Sequence, residues 1–422
     1  MAKLLQFTVG NFRSFHQERT FSMVPASIQD SPKGNVITEE AYKYLTTAAI
    51  YGANSSGKSN LVMALAAMSN LVLNSVKLND KDELVYDPFL LSTTSKEQPT
   101  HFEIVYLTEE KERVRYGFDY TIKKIKREWL FIRKKNKAEE PYFIRDEEGI
   151  GVNEKLFGEG AGIEEKTNDN RLFISLAAQL GGNISKSVLN FFYYGYNVIS
   201  GLSSRGYAGL TEIQFQNKEE EAASALQFFK DLQLGFTDIE TATYDMPLPE
   251  NLSNEDKIKL KNQKGIDVFS RHNIYDTNGN IVENQRFRFN NFESQGTQKL
   301  FELAGPLFES LRYGKLLVID ELDAKMHPLI SQHIIKLFNS EKTNPHHAQL
   351  LFTTHDTNLL SSHLLRRDQI WFTEKDKKET TDLYSLMHIV LPDGTKPRGD
   401  GNLERNYIKG RYGAVPYLQT VE

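Results

Sequence analysis

The stretch Gly52-Ala53-Asn54-Ser55-Ser56-Gly57-Lys58-Ser59 has the spacing G-x-x-x-x-G-K-S, a set of groups suited to a phosphate chain. Glycines let backbone N–H groups turn inward around phosphate oxygens, and a helix that starts beside them adds the positive end of its dipole. In that chemistry Lys58 bridges β- and γ-phosphates, and the Ser59 hydroxyl ligates Mg²⁺. Gly52, Asn54, Ser55, Ser56, Gly57 and Asn60 are the remaining candidates to line the loop. A carboxylate pair, Asp320-Glu321, closes the apolar run Leu316-Leu317-Val318-Ile319. Carboxylates at the end of a buried strand sit where α/β sheets bind ligands. Asp320 is the candidate to hold Mg²⁺ through water, and Glu321 to polarise an attacking water. Alone, the pair is equally an ordinary acidic turn; beside a phosphate loop it reads as catalytic. His355 ends a third apolar run, Gln349 to Thr354, where an imidazole can hydrogen-bond a γ-phosphate and respond to its loss. The last candidates are Ser294 and Gly296, ahead of the helix-like Leu300-Phe301-Glu302-Leu303-Ala304. Ser294 suits a helix cap and Gly296 a close backbone approach.

These residues need a scaffold that brings distant segments together. Thr46 to Tyr51 reads as a strand and Asn60 to Met68 as a helix, so strand, glycine loop and helix follow in the required order. The runs at Leu316 and Gln349 are apolar without alternation, as parallel strands buried on both faces are. The expected fold class is therefore α/β.

Composition sets the outer bounds. With 422 residues, 39% hydrophobic and 25% charged, the chain has an ordinary globular balance and room for two or three domains of ~150 residues. Its 0 cysteines exclude disulfides, thiolate zinc sites, iron–sulfur clusters and cysteine nucleophiles, and fit a cytoplasmic location. A net charge of −5 argues against bulk attraction to nucleic acid or anionic lipid. No uninterrupted run of ~18 apolar residues exists, so no membrane span is expected. The opening MAKLLQFTVGNFRSF lacks a secretory apolar core.

The motifs, in this order, resemble the ABC-type ATPase heads of the SMC, Rad50 and RecF proteins. More narrowly, they resemble the compact AAA15/AAA21 ATPases of bacterial anti-phage and abortive-infection systems, the RloA/AbiL-like, OLD-related group. The matching stretches are Asn11 to Phe15, Gly52 to Ser59, Glu293 to Thr297, Leu316 to Asp323, Thr353 to Asp356 and a tail from Tyr407 to Pro416. The resemblance implies an ABC-type P-loop ATPase head with a mixed sheet, an antiparallel β subdomain and a short helical insertion. It implies ATP and Mg²⁺ as cofactors and a head-to-head homodimer or higher homo-oligomer. Ser294 and Gly296 would contact the γ-phosphate held by a partner's Lys58, Asp323 would lie at that interface, and Asn11 and Arg13 beside the nucleotide of their own chain. Asn11 to Phe15 is otherwise a turn between strands Leu4–Val9 and Thr20–Met23. No glutamine is placed as a Q-loop residue, with Asp87-Pro88-Phe89 and Gln98 in the matching region, and the signature departs from Leu-Ser-Gly-Gly-Gln.

The expected division is an N-terminal lobe over 1–165, a mainly helical insertion over 166–290 and a C-terminal lobe over 291–422. The first lobe carries an antiparallel meander, with strands at His101–Tyr106, Arg115–Ile122 and Glu128–Ile132. Its cations Lys123, Lys124, Lys126, Arg127, Arg133, Lys134, Lys135 and Lys137 alternate with Trp129 and Phe131. Either they track a nucleic-acid backbone or they keep edge strands soluble, and the negative net charge favours the second. The insertion contains helices near Arg171–Leu180 and Glu219–Leu232, and Tyr244 to Gln263 reads as a flexible excursion. No long heptad repeat is present, so no Rad50-like coiled coil is expected. After His355 no stretch is long enough for the Toprim nuclease of OLD-type relatives, so an effector, nuclease or toxin, is expected on a separate chain. The competing expectations are a DNA-repair ATPase that binds DNA and a slow ATP-bound scaffold.

Overall fold

The computed structural model describes residues 1–200, 205–245, 264–391, 394–399 and 401–416. Strands are numbered in chain order. The central sheet has six strands in the order β11-β15-β16-β5-β17-β18. They are β5 (Thr47–Tyr51), β11 (Tyr196–Ser200), β15 (Leu316–Asp320), β16 (Gln349–Thr353), β17 (Ile370–Lys375) and β18 (Thr381–Ser385). The first five run parallel, and β18 returns antiparallel on β17.

Parallel neighbours end at the same edge, and here that is decisive. Ile319 pairs with Phe352, and Thr353 with Ile50, so β5, β15 and β16 deliver Gly52, Glu321 and Thr354 side by side. The apolar runs lack alternation because both faces are covered. Ala48, Ile50, Leu316, Val318 and Leu351 point into one core; Ala49, Tyr51, Leu317, Ile319, Leu350 and Phe352 point into another. Each such large side chain contributes about 1.5–3 kcal/mol on full burial.

The first core is shared with helix α1 (Lys58–Asn74), through Leu61, Leu65 and Met68, and with an antiparallel sheet. That sheet has seven strands in the order β10-β9-β8-β7-β6-β1-β2. It contains β1 (Lys3–Gly10), β2 (Arg19–Ser22), β6 (Thr100–Leu107), β7 (Arg113–Tyr120), β8 (Ile125–Arg133), β9 (Glu139–Asp146) and β10 (Gly149–Val152). The expected meander is its β6-β7-β8 portion. A two-stranded ribbon, β3 (Val36–Glu39) and β4 (Tyr42–Leu45), leads into β5. Helices α2 (Phe173–Gln179) and α3 (Asn183–Tyr194) add Phe173 and Phe191 to this core.

The second core is covered by α5 (Glu220–Asp231), α6 (Gln295–Tyr313) and α7 (Pro328–Asn339), and by the tail around α8 (Leu403–Ile408). Helix α4 (Arg205–Asn217) packs beside α6, where the Gly305 N–H donates to Thr211 Oγ1 at 2.9 Å.

The segment 166–290 is mixed rather than mainly helical. Its second half forms a sheet of β12 (Asp238–Asp245), β13 (Lys264–Tyr275) and β14 (Ile281–Arg288) in that order. Ile266, Val268 and Ser270 alternate along β13, which is a strand's period. Strand β11 of the same segment joins the central sheet beside β15. Of the excursion read at Tyr244 to Gln263, residues 246–263 lie outside the described residues, and Tyr244 ends in β12.

One helical stretch, Lys58–Lys77, is long and apolar enough to cross a membrane, with mean hydropathy 1.3 over its best window. It is a core helix of this fold: Leu61, Ala64, Leu65, Met68 and Val72 are buried, and its first turn continues the glycine loop.

Candidate functional site

The glycine loop connects β5 to α1. Gly57 is the N-cap of α1 at φ 111°, and no side chain caps the helix. Among the described residues the N–H groups of Gly57, Lys58 and Ser59 meet no protein acceptor. An uncapped helix start with inward N–H groups is an anion cradle. Backbone shape demands the glycines. A Cβ on Gly57 would lie 2.3 Å from Thr381 Oγ1, and one on Gly52 would lie 2.5 Å from the Thr373 carbonyl oxygen. Ser55 takes a left-handed φ of 63° at the loop's exposed tip, next to exposed Asn54.

Lys58 folds back over the loop and donates to the Gly52 and Ala53 carbonyls at 2.9 and 3.0 Å. Burial lowers its ammonium to about 8, against the attraction of Asp320, Glu321 and Asp323. Ser59 takes no side-chain partner among the described residues, which leaves its hydroxyl available to a cation. That hydroxyl and buried Asp320 are the oxygen donors that fit Mg²⁺ beside a phosphate chain.

Asp320 and Glu321 are positioned by a residue to which the sequence motifs assign no role. Thr353, at the end of β16, donates from Oγ1 to Asp320 Oδ1 at 2.6 Å and accepts from the Glu321 N–H at 2.7 Å. Glu321 itself is left-handed at φ 57°, an unusual state for a non-glycine residue and a mark of a functional turn. The His355 N–H donates to Asp323 Oδ1 at 3.3 Å, so the two strand ends are cross-linked. Burial, then the Lys58 charge, holds the His355 imidazole below its ordinary value. The fold thus brings Lys58, Asp320, Glu321, Asp323 and His355 into one electrostatic neighbourhood.

Ser294 caps α6: its Oγ accepts from the Thr297 N–H at 3.2 Å. A Cβ on Gly296 would lie 3.0 Å from the Lys325 carbonyl, so this turn abuts the loop that carries Asp323 in the same chain. Burial lowers the Lys299 ammonium one turn on, and Glu321 is among the charges it feels. No hydrogen bond or ion pair joins Ser294 or Gly296 to the glycine loop among the described residues.

Asn11 and Arg13 separate. Both are left-handed, at φ 44° and 50°, in the tight turn closed by Phe12 and Phe15. The Asn11 amide donates to the Ser95 and Gln98 carbonyls, both at 2.7 Å, and its oxygen accepts from the Phe89 N–H at 3.2 Å. Both polar atoms of its side chain hold the 89–99 loop. Arg13 is partly exposed over α1, paired with Asp87 at 2.7 Å and against Met63 Sδ. Gln98 contributes its carbonyl to Asn11 and Tyr86. Asn60 lies on the first turn of α1 and donates from Nδ2 to Ser14 Oγ at 2.6 Å.

Among the described residues, four of the eight cations on and around β8 are paired with acids. Lys126 pairs with Glu147, Arg127 with Asp119, Lys134 with Glu112 and Lys135 with Glu40. Trp129 is buried and donates to Glu103 at 2.8 Å, which removes it as a platform for a base, and half-buried Phe131 has the Arg115 guanidinium 4.1 Å over its ring.

A family described as AAA domain, putative AbiEii toxin, Type IV TA system matches residues 48–361. No curated protein matches. Among solved structures the chain is similar to the SMC head domain from Thermotoga maritima, at 12% identity and a TM-score of 0.39, over 91% of this chain and 98% of that one. It is similar to the SMC head bound to the C-winged helix domain of ScpA, at 13% identity and 0.36, over 91% and 97%. It is also similar to the recombination mediator protein RecF-ATPrS of the RecFOR pathway, at 12% identity and 0.37, over 90% and 98%.

Proposed function

The chain belongs to the family described as AAA domain, putative AbiEii toxin, Type IV TA system, and on that premise we propose that it binds ATP with Mg²⁺ and hydrolyses it. One observation carries this reading. Three adjacent parallel strands end in an uncapped glycine loop, a carboxylate pair and a histidine at a single sheet edge.

In this reading the N–H groups of Gly57, Lys58 and Ser59 hold the phosphate chain. Lys58 leaves the Gly52 and Ala53 carbonyls to bridge the β- and γ-phosphates. The Ser59 hydroxyl would ligate Mg²⁺ and Asp320 would hold it through water, and the bound ion would supply charge neutralisation on the phosphates. Glu321 orients the attacking water and takes its proton, while Thr353 keeps both carboxylate-bearing residues in place. His355, neutral near pH 7, faces the γ-phosphate. In-line phosphoryl transfer asks for little else from the protein.

The reading extends to assembly. Ser294 and Gly296 close a second copy's site, with Asp323 at that contact and Arg13 beside the chain's own nucleotide. Turnover resets a homodimer or higher oligomer that holds or releases a separate effector, a nuclease or toxin, in cytoplasmic anti-phage defence. The family's description as a toxin–antitoxin system supports that use. The three-part division at 165/166 and 290/291 belongs to the same proposal.

Glu321→Gln is the test. It should retain ATP binding and lose about 10²–10⁴-fold in turnover, as loss of a general base does. Wild-type turnover in that variant would remove Glu321 from this role. Tagged Glu321→Gln protein, purified from its native host, should carry the effector with it; recovery with bound DNA alone would move the reading to DNA repair.

A further inference from the structure

Two buried threonines on the β17–β18 hairpin grip the glycine loop. Thr381 is 2% exposed and Thr373 0%. Thr381 Oγ1 lies 2.9 Å from the Ser56 carbonyl and 2.7 Å from Ser14 Oγ. Ser14 Oγ is in turn 2.6 Å from Asn60 Nδ2. An amide nitrogen can only donate, and a carbonyl can only accept. Asn60 donates to Ser14 Oγ, and the Thr381 hydroxyl donates to the Ser56 carbonyl and to Ser14 Oγ, its one proton shared between the two. Thr373 makes a parallel link, at 2.6 Å from Ser56 Oγ and 3.4 Å from the Tyr51 carbonyl. The backbone reinforces the contact, since the Thr381 N–H donates to the Ser14 carbonyl at 2.7 Å.

We propose that Thr381 is a positioning residue for nucleotide binding: it fixes the peptide between Ser56 and Gly57, and with it the inward aim of the Gly57 N–H. This rests on the nucleotide reading of the loop. The peptide that Thr381 grips by its carbonyl is the one whose nitrogen belongs to Gly57. Rotation of that peptide would release the carbonyl and turn the N–H out of the cradle together. These hydrogen bonds also tie three sequence-distant pieces into one unit: the Asn11–Phe15 turn through Ser14, the first turn of α1 through Asn60, and the C-terminal hairpin. The contact is close enough that only glycine fits at position 57.

The test is binding of a fluorescent ATP analogue to the full chain, read with turnover and thermal melting. Thr381→Val keeps the shape and removes the hydroxyl. It should weaken nucleotide binding on the order of tenfold, the size of one lost buried hydrogen bond, and raise KM more than it lowers kcat. Thr381→Ser should restore binding. Ser14→Ala leaves the Thr381 proton to the Ser56 carbonyl alone and should cost less binding than Thr381→Val; added to Thr381→Val it should cost little more, because both act through the one hydroxyl. A Thr381→Val protein that melts earlier yet binds nucleotide as wild type does would overturn the proposal and leave Thr381 a packing residue. Absence of binding by the wild type would overturn the nucleotide reading itself, and this inference with it.

Discussion

The lysine of the glycine loop is stored in a bent state, and its proton is held loosely. Lys58 sits at about 8 because burial costs the ammonium more than the nearby carboxylates return. In the proposed ATP complex, phosphate oxygens at the same nitrogen would raise that value. Binding is then proton-neutral below about pH 8 and takes up a proton above it. ATP affinity should stay flat from pH 7 to 8 and fall by up to tenfold per pH unit beyond, whereas an ordinary lysine would hold to about pH 10.4. A titration of Kd against pH checks this, and a flat profile to pH 9.5 would show that the bent lysine keeps its proton. The spacing of Gly52 to Ser59 made this lysine legible in the sequence, and so were Asp320, Glu321 and His355. The roles of Thr353, Thr373 and Thr381 were not, because threonine in a strand is ordinary and their partners lie 32 to 367 residues away. Asn11 was read toward nucleotide by resemblance, while its amide is occupied by the backbone of the 89–99 loop.

Elements here are fastened by distant side chains as much as by their own sequences. Helix α2 has Leu172 as its N-cap and no side-chain cap of its own. Glu128, fully buried on β8, supplies one from across the core. It accepts from the Phe173 and Ile174 N–H groups at 2.7 and 3.1 Å and from the Tyr116 hydroxyl at 3.1 Å. Burial pushes its carboxyl up, against the opposing pull of Arg145 and these donors. Glu128→Ala leaves three buried donors unpaired and should cost about 3 kcal/mol of stability by denaturant melting. Glu128→Gln keeps an acceptor and should lose less. Nucleotide affinity should change by less than about twofold in either, since α2 meets α1 near its far end, where Ser175 Oγ donates to the Val72 carbonyl at 2.7 Å; a parallel loss of binding would make the cap part of the site. Such a remote cap is invisible to local reading, which sees only an acidic residue in a basic strand. Three of the five parallel strands, β5, β15 and β16, were legible from apolar runs, because burial on both faces leaves few polar positions, whereas β11 lay unread in a segment expected to be mainly helical. The β12–β14 sheet was missed because helical patterns before it and prolines and glycines around it set the expectation for the whole segment.

At the scale of the whole molecule the site is built from both ends of the chain and from one edge of one sheet, and its outer side faces solvent. Ser294 and Asn54 are exposed, and Gly296 is half-buried against the loop that carries Asp323. A turn with an exposed cap hydroxyl, unlinked to its own chain's glycine loop, is free to meet a second copy. If a second copy closes over ATP, Glu321→Gln with ATP should sediment as a dimer and without ATP as a monomer. Ser294→Arg puts a long cation where a γ-phosphate and a closely packed turn must both fit. In the Glu321→Gln background it should abolish the ATP-driven dimer while leaving each monomer able to bind nucleotide. Ser294→Ala separates the cap from the contact: it removes the bond to Thr297, worth about 1 kcal/mol to the helix, without adding bulk. Dimer loss in the arginine variant with retention in the alanine variant would assign the effect to the interface. Equal loss in both would assign it to the helix start. An ATP-driven dimer that survives Ser294→Arg would place the subunit contact elsewhere on the molecule.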